Sequence, residues 1–401
     1  HNRCPLAAHP ALMSEIENAR DDAINLLRTL VRFPSITGSE AEIGAFVARY
    51  CRDIGLAVEI VEAEPGRPNI IATWDSGRPG PTLLLNDHLD IVPPGPLENW
   101  HYPPFDAAVA DGLVHGRGTI DTKSGLTTLL IAVRAARAIC LPISGKLVAI
   151  FTCDEETGGK LGMQHLGRNG YLKADLAVVA EPTTLRIEIA TKARIGLEIT
   201  TAGVATHGAR PWLGHNAIGD MARIVAVLQD LADRLGDRLH ARMGRPSLNV
   251  GTIEGGTVPN MVPNWCRIGV DRRLIPGETK EQAIAEITDV IDGLRRQHPK
   301  LDATVVEQIW WPGYMLEEGE PIVTIAVNAF EKVAGRRPEI GVKDAGTDAS
   351  WIHSLAGIPV IMFSPGNGLA AMNANESVSI DDMIFATKVI GQIIADVLVK
   401  E

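Results

Sequence analysis

Apolar residues recur at helical spacing through residues 12–33 (Leu12, Ile16, Ala19, Ala23, Leu27, Leu30, Val31) and again from Ala41 to Ile54, so the chain opens with helices. Beyond them the pattern changes to short apolar runs at Val58–Val61, Asn69–Thr73, Thr82–Asn86, Lys146–Phe151 and Asp175–Ala180, with a helical stretch at Leu126–Ala136. Runs this short and this uniformly apolar are strands buried on both faces. Their alternation with helices predicts a three-layer α/β domain with a mainly parallel sheet.

The texture changes near Thr191. Residues 192–306 read as a polar-flanked strand (Ile195–Thr200), a helix (Ala217–Leu235), two strands (Ser247–Ile253 and Asn264–Arg273), a helix (Lys280–Gln297) and a last strand (Asp302–Val306). That β-α-β-β-α-β order is the split unit of small ferredoxin-like α+β domains. The α/β texture then returns, with a helix at Ile322–Val333, a strand at Ile358–Phe363 and a closing helix at Ile380–Leu398. The expected organisation is one α/β domain, residues 1–191 and 307–401, interrupted by an inserted domain at 192–306.

Composition narrows the function classes. The 401 residues carry 38 Lys and Arg against 49 Asp and Glu, a net charge of −11, with no basic run, which disfavours nucleic acid or an anionic membrane as partner. No apolar stretch approaches the roughly 20 residues of a membrane helix. The start of the chain lacks a signal-peptide core, and the five cysteines (Cys4, Cys51, Cys140, Cys153, Cys266) are odd in number and scattered. Reduced thiols and cytoplasmic residence are expected.

In an open α/β sheet the ligand crevice lies beyond the carboxyl ends of the strands. Thr82–Asn86 runs into Asp87-His88-Leu89-Asp90, Lys146–Phe151 into Cys153-Asp154-Glu155-Glu156, and Asp175–Ala180 into Glu181-Pro182-Thr183, while Asp121 precedes a helix. A lone Glu-Glu pair is ordinarily a solvated face and a lone histidine a structural one; convergence at one sheet edge changes that. Clustered carboxylates repel one another, and a bound cation is the simplest neutraliser. Mixed imidazole and carboxylate donors suit zinc or manganese, with cobalt also compatible. Asp90, two residues after His88, is placed to accept from the ring N–H while the other ring nitrogen meets the metal.

These residues resemble the M20 metallopeptidase and amidohydrolase family, which includes acetylornithine deacetylase, succinyl-diaminopimelate desuccinylase and glutamate carboxypeptidases. The likeness lies in Asn86–Asp90, Gly116–Gly125, Asp154–Gly158 and Glu181–Thr183, and in the inserted segment in Gly203–Pro211, Asn260–Pro263 and Asp271–Gly277. The resemblance implies that His88, Asp121 and Glu181 hold one metal, and that Asp121 bridges to a second held by Glu156. It makes Glu155 the general base and His207 an oxyanion stabiliser, in this family usually from the partner subunit. Arg273 would bind a substrate carboxylate, helped by Asn260 and by backbone donors of Ala345–Asp348, Gly346 and Thr347 among them. It also implies a homodimer through residues 192–306, serving as a dimerisation and lid domain.

The chain departs from the family at its C-terminal side. Where the family has a histidine four residues before a Glu, here Glu376, this chain has Met372. A thioether is a poor ligand for hard divalent ions, and Asn373 offers only an amide. One tightly held ion is therefore expected, with the second weak or missing. Ser364 and His215 also depart from the pattern. The expected activity is metal-dependent hydrolysis of an amide C–N bond in a small carboxylate-bearing substrate such as an N-acyl amino acid. The alternative is an aminohydrolase releasing ammonia from an aromatic or amidine-like compound at a remodelled single-metal site, with Trp310, Trp311 and Trp351 as stacking surfaces. A member that binds without turnover is disfavoured by the intact Glu155.

Overall fold

The computed structural model describes residues 8–399; Cys4 and the sequence start lie outside them. Two compact units emerge. The first takes in residues up to Ala190, Leu316–Gly341 and Thr347 onward; the second is Thr191–Met315 with Val342–Gly346.

In the first unit the strands run in the spatial order Ala57–Glu62, Pro68–Asp75, Lys146–Thr152, Thr82–His88, Leu176–Val179, Val360–Met362 and Ile187–Thr191. The central four are mutually parallel and their flanks antiparallel, so the mainly parallel sheet of an α/β fold stands. Uniform burial along Thr82–His88 and Lys146–Thr152 explains why their sequences do not alternate. The helix Ser124–Ala138 is buried along nearly its whole length, as is the closing helix Ile380–Leu398. At Gly125 a Cβ would run into the Ala180 carbonyl oxygen and come within 2.7 Å of Asp87 Oδ2. Glycine there lets the helix start lie directly against the strand ends.

The apolar stretch at 12–33 is two helices, Pro10–Asn18 and Arg20–Val31, broken at Ala19. Short elements escaped the sequence pattern, among them the antiparallel trio Ala108–Ala110, Leu113–His115 and Ser377–Ser379 and the helix Asp348–Ala356. Each is too short to show a period.

The second unit is a four-stranded antiparallel sheet in the order Ser247–Gly255, Trp265–Leu274, Ala193–Ala202, Asp302–Trp311, covered by helices Ala217–Leu235 and Lys280–Gln297. Ile195, Leu197 and Ile199 alternate inward against Ile224, Leu228, Ile287 and Ile291. The last strand extends to Trp311, past the 306 expected, because its later residues stay paired to Arg194–Gly196 beyond a bulge at Glu307–Ile309. Among the described residues, no helix is long and apolar enough to cross a membrane.

Candidate metal centre

Within the first unit, the parallel strand Thr82–His88 ends by burying His88 among carboxylates. The ring Nε2 lies 3.1 Å from Asp121 Oδ1, 3.7 Å from Glu181 Oε1 and 4.0 Å from Glu155 Oε2. Ligand-capable atoms of His88, Asp121 and Glu156 lie within 4.8 Å of one another, as do those of His88, Glu155 and Glu181. All five side chains expected at the centre are therefore together, and both groups draw on the same imidazole.

The ring is fixed from its other side. Nδ1 sits 2.8 Å from the backbone carbonyl of Asp90 and 3.5 Å from its carboxylate, whereas the sequence reading has the carboxylate as acceptor. That carboxylate is engaged elsewhere: it accepts from the backbone N–H of Glu155 (3.0 Å) and Glu156 (3.2 Å) and from the Thr37 hydroxyl (2.7 Å). With the Nδ1 proton donated to the Asp90 carbonyl, Nε2 faces the carboxylates, and a cation bound there would take its lone pair in place of a proton. Asp90 thus orients both the ring and the Glu155–Glu156 turn.

Asp121 is delivered by the loop after Gly118, whose positive φ of 82° opens the turn. Glu376, buried, accepts from the backbone N–H groups of Ile120 (2.7 Å) and Asp121 (3.2 Å), and its other oxygen pairs with Arg117. Arg117 also donates to the carbonyls of Met372 (2.9 Å) and Asn373 (3.3 Å) and stacks over the Trp100 ring. Met372 itself is half exposed, and the Asn373 amide donates to the Leu369 carbonyl in its own loop. Glu181 follows the strand Leu176–Val179, and Ala180 anchors it by donating to the Asn86 carbonyl and accepting from Thr122 Oγ1.

Electrostatics marks the cluster as short of positive charge. Burial pushes Glu156 up to about 9, with Asp121 adding to the effect, and holds Glu155 well above the usual carboxylate range, with Glu181 and Glu156 adding further. For His88, burial works against the charged ring, yet Asp121, Asp90 and Glu155 raise its pKa well above the ordinary value. Glu156 Oε1 is buried with no hydrogen-bond partner. An imidazole, several buried carboxylates and an orphaned carboxylate oxygen within ligand distance of one another are a donor set that a divalent cation fits.

Two buried acids beside the cluster were not singled out from the sequence. Asp87 accepts from the His88 N–H (2.9 Å), and its position next to His88 at a strand end was the signal available. Asp348 accepts from the Thr152 hydroxyl (2.5 Å), and burial pushes it up to about 7. Nothing local in the sequence announces it.

The remaining expected residues divide between the units. Thr347, in the first, caps the helix Asp348–Ala356: its hydroxyl accepts from Ala349 N and its own N–H donates to Ser350 Oγ (3.3 Å). In the second unit His207 is exposed, its Nδ1 accepting from Ala209 N (3.1 Å), and its backbone bridges to Met261. Asn260 is exposed and its carbonyl accepts from Gly208 N (2.8 Å). Arg273 pairs with Asp271 (2.7 Å) and donates to the Asp344 carbonyl (3.0 Å). Gly346 lies against Trp311, where a Cβ would come within 2.6 Å of the ring.

Known proteins are similar to this chain in sequence and fold. The profile of peptidase family M20/M25/M40 matches residues 84–396. The N-formyl-4-amino-5-aminomethyl-2-methylpyrimidine deformylase of Bacillus subtilis (strain 168) is 27% identical over 411 residues, covering 95% of each chain. The acetylornithine deacetylase of Aliivibrio fischeri (strain ATCC 700601 / ES114) is 30% identical over 331 residues, covering 82% of this chain and 84% of the relative. Among solved structures, aminopeptidase PepT from Bacillus cereus ATCC 10987 superposes with a TM-score of 0.78 at 25% identity, over 94% of this chain and 98% of that one. The chain belongs to peptidase family M20/M25/M40 and is a divalent-metal-dependent hydrolase of amide or peptide C–N bonds.

Proposed function

We propose that the chain hydrolyses the amide bond of a small carboxylate-bearing substrate such as an N-acyl amino acid, with Glu155 as general base. The observation that carries this is the buried Glu155 carboxylate, 4.0 Å from the imidazole at the heart of the cluster. His88, Asp121, Glu156 and Glu181 would hold the divalent metal, which would supply Lewis acidity toward a water molecule and the scissile carbonyl. Glu155 takes a proton from the attacking water as oxygen bonds to the carbonyl carbon. The same carboxyl returns the proton to the nitrogen as the C–N bond breaks, so one group serves both halves of the step.

The substrate side rests on the second unit. Arg194 and Arg273 share the single Asp271 carboxylate, which leaves one positive charge in excess for a substrate carboxylate. We assign that contact to Arg273, helped by Asn260, with His207 as oxyanion donor. Thr347 N–H is engaged by Ser350, so the backbone donor role falls to Gly346.

The reading carries one tightly held ion, zinc or manganese with cobalt as substitute. Each ligand group depends on the single His88 imidazole, so a second ion has carboxylates alone, and Met372 and Asn373 add no imidazole. It also makes residues 192–306 the dimerisation domain of a homodimer. Elemental analysis of metal per chain, paired with assays on N-acetyl and N-formyl amino acids and their decarboxylated amine analogues, tests the whole reading. Release of acyl acid from the carboxylates in preference to the amines supports it. Ammonia release without an acyl acid would assign the aminohydrolase reaction instead.

A further inference from the structure

The turn that presents Glu155 and Glu156 is held from beneath by residues far away in sequence. Asp154 opens it with φ 67° and ψ 13°, a left-handed conformation that non-glycine residues rarely occupy. Three consecutive backbone N–H groups point at carboxylates: Asp154 N donates to Glu40 Oε1 (3.3 Å), and Glu155 N and Glu156 N donate to Asp90. The Asp154 carboxylate accepts from the Thr157 hydroxyl (2.5 Å), from Leu161 N (2.9 Å) and from Arg67 (3.2 Å).

Arg67 is the guanidinium that ties these acids together. Its fork meets Glu40 at 2.7 and 2.8 Å while one nitrogen also reaches Asp154. The Glu40 side chain is fully buried, at the entry to the helix Ala41–Asp53, and also accepts from Gly38 N (3.1 Å). A buried ion pair is a poor source of stability, because desolvation offsets its Coulomb gain, and an apolar pair of the same volume would serve the fold as well. What an apolar pair cannot do is hold Asp154 N–H and the Asp154 carboxylate at once. Such geometry suits a shell that aims other ligands.

We propose that Arg67, fixed by Glu40, is a positioning residue for the Glu155 and Glu156 carboxylates, clamping the Asp154 turn that presents them. The proposal rests on the reading of Glu156 as metal ligand and Glu155 as base. It predicts a loss that follows the ligands rather than the substrate. Lysine at position 67 keeps the charge but cannot bridge Glu40 and Asp154 through a planar fork.

The test is the affinity of the full-length protein for Zn2+, measured by competition with a chromogenic chelator, alongside kcat and KM on whichever amide substrate is turned over. Arg67→Lys is expected to bind Zn2+ about 10- to 100-fold more weakly and to lose kcat on that scale, with KM within about twofold. Glu40→Gln is expected to shift both in the same direction. Zn2+ affinity and kcat within twofold of the parent, in folded Arg67→Lys or, where that variant does not fold, in Glu40→Gln, overturn the proposal. Glu156→Gln serves as control: if it leaves Zn2+ affinity unchanged, the ligand assignment fails and not the clamp alone.

Discussion

Glu155 and Glu156 are adjacent in sequence, yet the structure sets them in different surroundings. Glu155 groups with His88 and Glu181, and Glu156 with His88 and Asp121. If Glu155 carries the proton, Glu155→Gln keeps the shape and the cation site but removes the base. Steady-state kinetics should then show kcat lowered about 10²- to 10⁴-fold while elemental analysis finds the same metal content. A kcat within tenfold of the parent would move the base elsewhere. Gly125 gives a second residue-scale prediction. Alanine favours a helix over glycine by about 1 kcal/mol, but here its Cβ meets the Ala180 carbonyl and the Asp87 carboxylate. Gly125→Ala should therefore destabilise by about 1–3 kcal/mol, read as a lower melting temperature.

Elements hold buried charge as well as apolar side chains. In the second unit Arg272, on the strand Trp265–Leu274, is fully buried and pairs with Glu278 at 2.7 Å, in the loop before the helix Lys280–Gln297. Burial would raise the Glu278 carboxyl, but hydrogen bonds from Arg272, Ile275 N and Arg238 hold it below the usual carboxylate range. A depressed carboxyl contributes stability that is present above its unfolded pKa, about 4.3, and is lost as pH falls through the lower folded value. Glu278→Gln removes the nearer carboxylate from buried Arg272 and leaves only Glu286 at 3.6 Å, so a loss of about 1–3 kcal/mol is expected at neutral pH. The gap in melting temperature between parent and variant should narrow below about pH 4. A gap that stays constant from pH 7 to pH 3 would deny the pair its role.

For the whole molecule, the strand Ser247–Gly255 is an edge of its sheet, and it carries Ile253, 61% exposed. Trp212 and Leu213 in the same unit are 74% and 63% exposed. Open edges and exposed apolar side chains of this size are surfaces that soluble chains cover. On the dimer reading, light scattering should give twice the chain mass of 43.0 kDa. Ile253→Glu should return the mass to one chain, and a parent that already scatters as one chain would remove the dimer and any role for His207 across it.

Periodicity was enough for the long elements and for the strand ends. Buried parallel strands are continuously apolar, so the polar residues that follow them stand out, and His88, Asp90, Asp121, Glu155, Glu156 and Glu181 could be read as converging before any coordinate was known. The inserted β-α-β-β-α-β unit was legible for the same reason, since each of its helices and strands is long enough to repeat its pattern. Tertiary structure alone decided what lies behind those ligands. Asp348 meets Asn86 across 262 residues of chain, and Glu40 meets Asp154 across 114; the motif segments Asn86–Asp90 and Asp154–Gly158 do not reveal from sequence that the Asp348 and Glu40 carboxylates stand behind them. It also decided that the Asp90 backbone carbonyl, not its side chain, is the nearer acceptor for His88. Sequence pattern reports which face of an element is buried, because burial acts on each residue where it stands. Which distant charges share that burial depends on how the elements pack, and no local period encodes it.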